Sequence, residues 1–166
     1  MLEFKTTKGT FTVQLFDKQA PISAENFLQY AKDGFFEGTV FHRVIPGFMV
    51  QGGGLTADMK PKSGQRASIK NEATNGLKNK RGTLSMARTN DINSATSQFF
   101  INLVDNDFLD NRAGNFGYAV FGRIASGMEV IDAIAAVKTG SKAGHQDVPT
   151  EAITVESVTE IEDPAQ

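Results

Sequence analysis

Phe41-His42-Arg43-Val44-Ile45-Pro46-Gly47-Phe48-Met49-Val50-Gln51-Gly52-Gly53 reads as two short strands joined by a tight turn. Aromatic and β-branched residues favour a pleated, half-buried surface, and Pro-Gly supplies the turn. Side chains alternate across a strand, so counting by two puts Phe41, Arg43 and Ile45 on one side. The register restarts after the turn, which leaves the faces of Phe48 and Met49 unassigned by period alone. A second stretch, Ser97-Gln98-Phe99-Phe100-Ile101, alternates in the same way, with Gln98 and Phe100 on one face. An arginine and two glutamines sharing strands with Phe and Met point to a groove, apolar at its base and polar at its rim.

The rest of the chain extends this β-rich pattern. Phe is unusually frequent at 13 residues, with 2 Tyr, no Trp and 16 Gly to supply turns. Leu2, Phe4 and Thr6 alternate, Lys8-Gly9 can turn, and Phe11, Val13 and Leu15 alternate again, which predicts an opening hairpin. Residues 22–33 switch to helical spacing: Ala24, Phe27, Leu28 and Ala31 share a face, Pro21 precedes and Gly34 follows. Strands are predicted at 39–45, 48–51, 83–88, 98–103 and 118–124. A second helix is predicted at 127–136, where Met128, Ile131 and Ala135 align, and a closing strand at 152–161. Residues 54–80 are polar, rich in Gly, Lys and Asn, and read as long surface connections. With no βαβ alternation, a parallel doubly wound sheet is disfavoured. The pattern fits a closed or nearly closed antiparallel barrel with helices over its ends, in one domain spanning residues 1–166.

Composition and motif spacing narrow the chemistry. The net charge is −2, from 17 basic and 19 acidic residues without a basic block, which argues against nucleic-acid binding. The absence of cysteine removes disulfides, thiolate nucleophiles and cysteine-ligated zinc, and fits a reducing, cytoplasmic setting. The N-terminus has no signal-peptide pattern, and no apolar run approaches the ~18 residues of a membrane helix, so no membrane partner is expected. Charge and length point to a monomer. His42 and His145 are far apart in sequence and lack partners at metal-ligand spacing; His42, between Phe41 and Arg43, reads as a structural histidine with satisfied hydrogen bonds. Ser85 lacks the second glycine of a nucleophile elbow. Gly52-Gly53-Gly54 lacks phosphate-loop spacing and reads as relief of crowding at a strand end. Asp105, Asp107 and Asp110 miss the glycine and glutamate of a calcium loop and read as solvated turn acids. Acid–base, covalent and metal mechanisms all lack a constellation, so an enzyme built here acts on a bond that needs neither proton transfer nor a covalent intermediate.

The two quoted stretches resemble the cyclophilin family of peptidyl-prolyl cis–trans isomerases. The resemblance continues through Ala20-Pro21 to Asn26-Phe27, Arg81-Gly82-Thr83-Leu84-Ser85-Met86-Ala87 and Tyr118-Ala119-Val120-Phe121-Gly122. It implies a closed eight-stranded antiparallel barrel capped by two α-helices, an active groove on the outer surface, and X-Pro isomerisation without cofactor or metal. Its partners would be proline-containing peptides and unfolded or folding proteins.

Carried over by the resemblance, Arg43 matches the catalytic arginine, and Phe48, Met49, Phe100 and Leu109 match the pocket for the proline ring. Gln51 supports the arginine and Gln98 sits beside the groove. Ala87 and Arg88 match the strand end whose backbone pairs with substrate, although the family often has Asn at the position of Arg88. The frequent Trp of the family is Phe108 here and its frequent pocket His is Tyr118, as in the cytoplasmic bacterial branch. Phe108 offers no indole N–H, which implies weak cyclosporin binding with isomerase activity retained. Taken alone, Arg43 reads equally as an ion-pair or surface cation, and the Phe and Met residues as ordinary core. Two other functions remain open from the residues: a non-catalytic module that captures proline-containing segments, and a small-ligand carrier using the barrel lumen. Bulky Phe, Ile and Val at interior positions disfavour the carrier.

Overall fold

The computed structural model describes residues 1–162. The opening hairpin forms as expected, from β1 (Leu2–Thr6) and β2 (Gly9–Leu15). Helix α1 (Pro21–Lys32) follows, then β3 (Arg43–Ile45), β4 (Met49–Gly52), β5 (Thr83–Met86), β6 (Phe99–Asn102) and β7 (Val120–Ser126). Helix α2 (Met128–Ala135) precedes a separate hairpin of β8 (Thr139–Lys142) and β9 (His145–Pro149), and β10 (Val155–Glu160) comes last. Eight strands form one antiparallel sheet in the order β10-β1-β2-β7-β5-β6-β4-β3. The β8–β9 hairpin was not foreseen. Its first strand, Thr-Gly-Ser-Lys, carries no apolar alternation for a pattern reading to detect.

The sheet curls into a half-barrel and does not close. β3 and β10 occupy opposite edges of the strand order. Between them lie only a single bridge, Val40 to Thr154, and a few backbone bonds, such as Phe41 N–H to the Ile153 carbonyl at 3.0 Å. The closed barrel expected from the sequence is therefore corrected, and the break falls at the entry to β3. Phe41 and Val44, three residues apart, both enter the core, so the chain loses its period of two at His42 before β3 begins. The same irregularity overturns the predicted shared face: Phe41 is buried inside while Arg43 is exposed outside.

The interior is filled by aromatic rings. Phe4 stacks on Phe11 at 4.9 Å, and Phe27 meets Phe99 edge-on at 5.1 Å; such pairs add about 0.5–1.5 kcal/mol beyond area burial. Phe27 reaches the interior from α1, and Ile131 and Ile134 from α2. Pro21 is the first helical residue of α1 instead of preceding it, where its missing N–H costs nothing. The next amides, of Ile22 and Ser23, donate to the Glu72 carboxylate at 3.2 and 2.6 Å, so an acid from a distant loop caps the helix. A lumen packed in this way leaves no room for a carried ligand.

Candidate active site

The turn Ile45-Pro46-Gly47-Phe48 sets the register of everything beside it. Gly47 adopts φ +75° and Phe48 N–H donates to the Ile45 carbonyl at 3.1 Å, the pattern of a type II turn with Pro then Gly at its centre. This register pairs Arg43 with Gln51 and Ile45 with Met49, while β6 places Phe100 opposite Gln51. Opposed residues on neighbouring strands share a face. Arg43, Gln51 and Phe100 thus form one row across the outer surface of the sheet.

Below and beside that row lies a second apolar cluster, distinct from the interior. Met49, Phe100 and Leu109 are buried in it, with Ile45, Phe48, Ala87 and Tyr118 packed around them. All of these except Ile45 line a cavity of about 150 Å³ together with Arg43, Gln51 and Arg88. Nine of the eleven residues named from the sequence line this cavity: Arg43, Phe48, Met49, Gln51, Ala87, Arg88, Phe100, Leu109 and Tyr118. Gln98 lies just beyond, accepting a hydrogen bond from Gln51 Nε2 at 3.0 Å. Phe108 stays outside, 56% exposed, and stacks on Phe48 with ring centres 5.6 Å apart. Larger clefts of about 570 and 720 Å³ flank α1, but neither places a cation over an apolar floor of buried rings.

The electrostatics of the cavity are one-sided. No carboxylate lines it. Among the described residues, ion pairs join Arg66 to Asp33, Lys80 to Asp105 and Arg81 to Asp132, so Arg43 has no acidic partner. Gln51, opposite Arg43 in the register, donates one amide N–H to Gln98. Arg88 lies over the Tyr118 ring at 4.4 Å, and Tyr118 meets Phe100 edge-on at 5.5 Å. His42 behaves differently from the satisfied histidine expected. Its Nδ1 has no hydrogen-bond partner among the described residues, and the ring of His145, remote in sequence, lies 6.3 Å away. Burial first, and then the charges of His145 and Arg43, push its pKa down to about 4. The residue is neutral at pH 7.

Sequence reasoning missed what holds the cavity from behind. Asn79, 1% exposed, lies in the stretch read as surface connection. Its backbone N–H donates to the Asp110 carboxylate at 2.6 Å, and its side-chain N–H group donates to the Leu109 carbonyl at 3.2 Å and, longer, to that of Tyr118 at 3.4 Å. Its side-chain oxygen accepts from Ser85 and Asn102 at 2.6 and 3.1 Å. Asn106 donates to the Phe48 carbonyl at 2.9 Å. Asp110, read as a solvated turn acid, is buried in this network. An Asn in a Lys-Asn-Lys run carries no periodic or motif signal, so nothing in the sequence pointed to it. The Gly52-Gly53-Gly54 run does relieve crowding: a Cβ on Gly54 would sit 2.4 Å from Gln98 Cγ.

A sequence profile described as "Cyclophilin type peptidyl-prolyl cis-trans isomerase/CLD" matches residues 1–160. The chain belongs to the cyclophilin family of peptidyl-prolyl cis–trans isomerases. Among similar cyclophilins, "Peptidyl-prolyl cis-trans isomerase A" of Dickeya dadantii is 54% identical over 152 residues, covering 92% of this chain and 80% of the relative. "Peptidyl-prolyl cis-trans isomerase B" of Escherichia coli is 53% identical over 163 residues, covering 96% and 98%. A cyclophilin-type isomerase from Cryptosporidium parvum, crystallised in the presence of the dipeptide Ala-Pro, superposes with a TM-score of 0.80 at 26% identity, covering 98% of this chain and 99% of that one. As a member of this family the chain is an isomerase. No helix of the described residues is long and apolar enough to cross a membrane.

Proposed function

We propose that the Arg43 cavity binds an X-Pro segment and lowers the barrier to rotation of its amide by stabilising the twisted geometry. The observation that carries this is an exposed guanidinium, without an ion-pair partner among the described residues, beside a pocket floored by Met49, Phe100 and Leu109. The planar amide resists twisting with a barrier of ~18–20 kcal/mol, so uncatalysed exchange takes roughly tens to hundreds of seconds. Raising the rate from about 0.01 to about 1,000 per second requires ~7 kcal/mol. At the twisted geometry the prolyl nitrogen regains its lone pair and accepts a hydrogen bond. Donation from Arg43 is then an interaction made mainly in the transition state, the kind that raises turnover. Preorganised donors of this type contribute about 3–4 kcal/mol in other enzymes.

In this reading Phe48, Met49, Phe100 and Leu109 hold the ring, with Tyr118 and Phe108 at the flanks. Ala87 and Arg88 offer the strand end to the substrate backbone, and Gln51 and Gln98 keep the rim in place. The reading extends to proline-containing peptides and folding proteins as substrates, supported by the Ala-Pro dipeptide with the Cryptosporidium relative. It also includes weak cyclosporin binding, because Phe108 has no N–H to donate. A single domain over 1–166 is supported by the profile match over 1–160, and a cytoplasmic monomer by the cysteine-free, mildly acidic composition. Exchange kinetics on a short Xaa-Pro peptide, with the native chain and with Arg43→Ala, test the proposal. Binding without catalysis by the native chain would favour a capture module instead.

A further inference from the structure

Beside the Arg43 cavity, and sharing Gln51, Ala87 and Arg88 with it, lies a second cleft of about 180 Å³. Its walls are Gln51, Arg88, Thr89, Ser94, Thr96 and Gln98, with Ala87 at the junction. Every polar side chain there except Arg88 is neutral. Arg88 belongs to both cavities and is held firmly. Its Nε and Nη2 donate to the Gly117 carbonyl at 3.3 and 2.9 Å, its Nη1 donates to the Thr89 carbonyl at 2.9 Å, and its plane lies over Tyr118. A guanidinium has five N–H donors, so two remain unspent. No carboxylate pairs with Arg88 among the described residues. Asp91, in the same turn, turns its carboxylate to the Asn93 amide at 2.9 Å and does not line the cleft. With Arg43 also lacking an ion pair among the described residues, a chain of net charge −2 carries two adjoining cavities lined by two cations and no carboxylate.

We propose that this cleft selects client segments bearing a carboxylate side chain one or two residues from the proline, with Arg88 as the specificity-determining residue. The proposal rests on the Arg43 cavity being the proline site. The logic is charge complementarity under geometric control. Two free N–H groups on a fixed planar fork match a carboxylate, the neutral hydroxyls and amides around them supply further donors, and a lysine in the same place meets an unpaired like charge. Because three bonds and a ring already fix the Arg88 side chain, little rotamer freedom is lost when a carboxylate arrives.

The test uses peptides with one proline and Glu, Gln or Lys placed in turn at each of the two positions before and after it. kcat/KM is measured on the native chain, on Arg88→Gln and on Thr96→Glu, which puts an acid in the cleft without touching Arg88. On one side of the proline, Glu should exceed Lys by about 5-fold, equivalent to ~1 kcal/mol, and the gap should narrow as salt is raised. In Arg88→Gln the ratio should fall below about 2-fold, and in Thr96→Glu it should vanish or invert. A Glu-to-Lys ratio near one at every position would overturn the proposal, as would a preference that survives in both variants. Failure of the native chain to isomerise any peptide, the Gln series included, would instead bring down the proline-site reading and this proposal with it.

Discussion

Gln51 and Gln98 are joined across the rim of the Arg43 cavity, Nε2 to Oε1 at 3.0 Å. The bond ties β4 to the entry of β6, and Arg43, directly opposite Gln51 in the register, pairs with no carboxylate among the described residues. Gly54 makes room for this link, since a Cβ there would press on Gln98 Cγ at 2.4 Å. Gly54→Ala should therefore displace Gln98, cost about 1–3 kcal/mol of stability as overpacking does, and raise KM. Urea unfolding and peptide kinetics check both. Gln51→Ala, which breaks the link without crowding, should raise KM with a smaller loss of stability.

His42 predicts a pH dependence of stability but none of catalysis. Its folded pKa is pushed from 6.5 down to about 4 by burial, His145 and Arg43, so between those values the unfolded chain binds more protons. Stability from this residue is complete above pH 6.5 and falls as pH drops toward 4, by about 3 kcal/mol in all. His42→Phe should lose that dependence, which urea unfolding at pH 7 and pH 4.5 would reveal. Over pH 6–8 His42 stays neutral and arginine does not titrate, so turnover should be flat. Two ionisations governing turnover in that range would count against the mechanism.

Asn79 should behave as a keystone. Asn79→Ala leaves Ser85, Asn102 and Asp110 short of their partners, at an expected cost of about 2–4 kcal/mol. The carbonyls of Leu109 and Tyr118 lose a donor as well. KM should rise more than kcat falls, because the pocket loosens while Arg43 is untouched.

Phe108 is exposed and stacked on Phe48, so a larger ring fits there without disturbing the core. Phe108→Trp supplies the missing N–H, and one added hydrogen bond of ~1 kcal/mol should strengthen cyclosporin inhibition by about 5-fold. Inhibition of the native chain at submicromolar cyclosporin would contradict the reading of this position.

Much of this was legible in the sequence because it is local. The hairpin at Phe4 and Phe11, the helical face of Phe27, and the Pro46-Gly47 turn each follow from neighbours in the chain. Of the nine residues that line the cavity, Arg43, Met49, Gln51 and Phe100 lie on strands, and all nine were named through the family resemblance because alternation alone does not assign them to one site. What stayed hidden depends on distant contacts. The break at His42 that turns Phe41 inward, the meeting of His42 with His145, and the Asn79 network behind Leu109 are set by tertiary packing. The open edge between β3 and β10 is of the same kind, and the period lost at His42 lies in the backbone path and not in residue type.

If Arg43 stabilises the twisted amide, removing it slows exchange without unfolding the chain. The exchange rate of a short Xaa-Pro peptide is compared between the native chain, Arg43→Ala and Arg43→Lys, with thermal unfolding of each. Arg43→Ala should lose about 10²–10³-fold in kcat, lysine should rescue little because it lacks the planar fork, and stability should be unchanged, since Arg43 is exposed and has no ion pair among the described residues. Near-native turnover by a folded Arg43→Ala chain would contradict that role for Arg43.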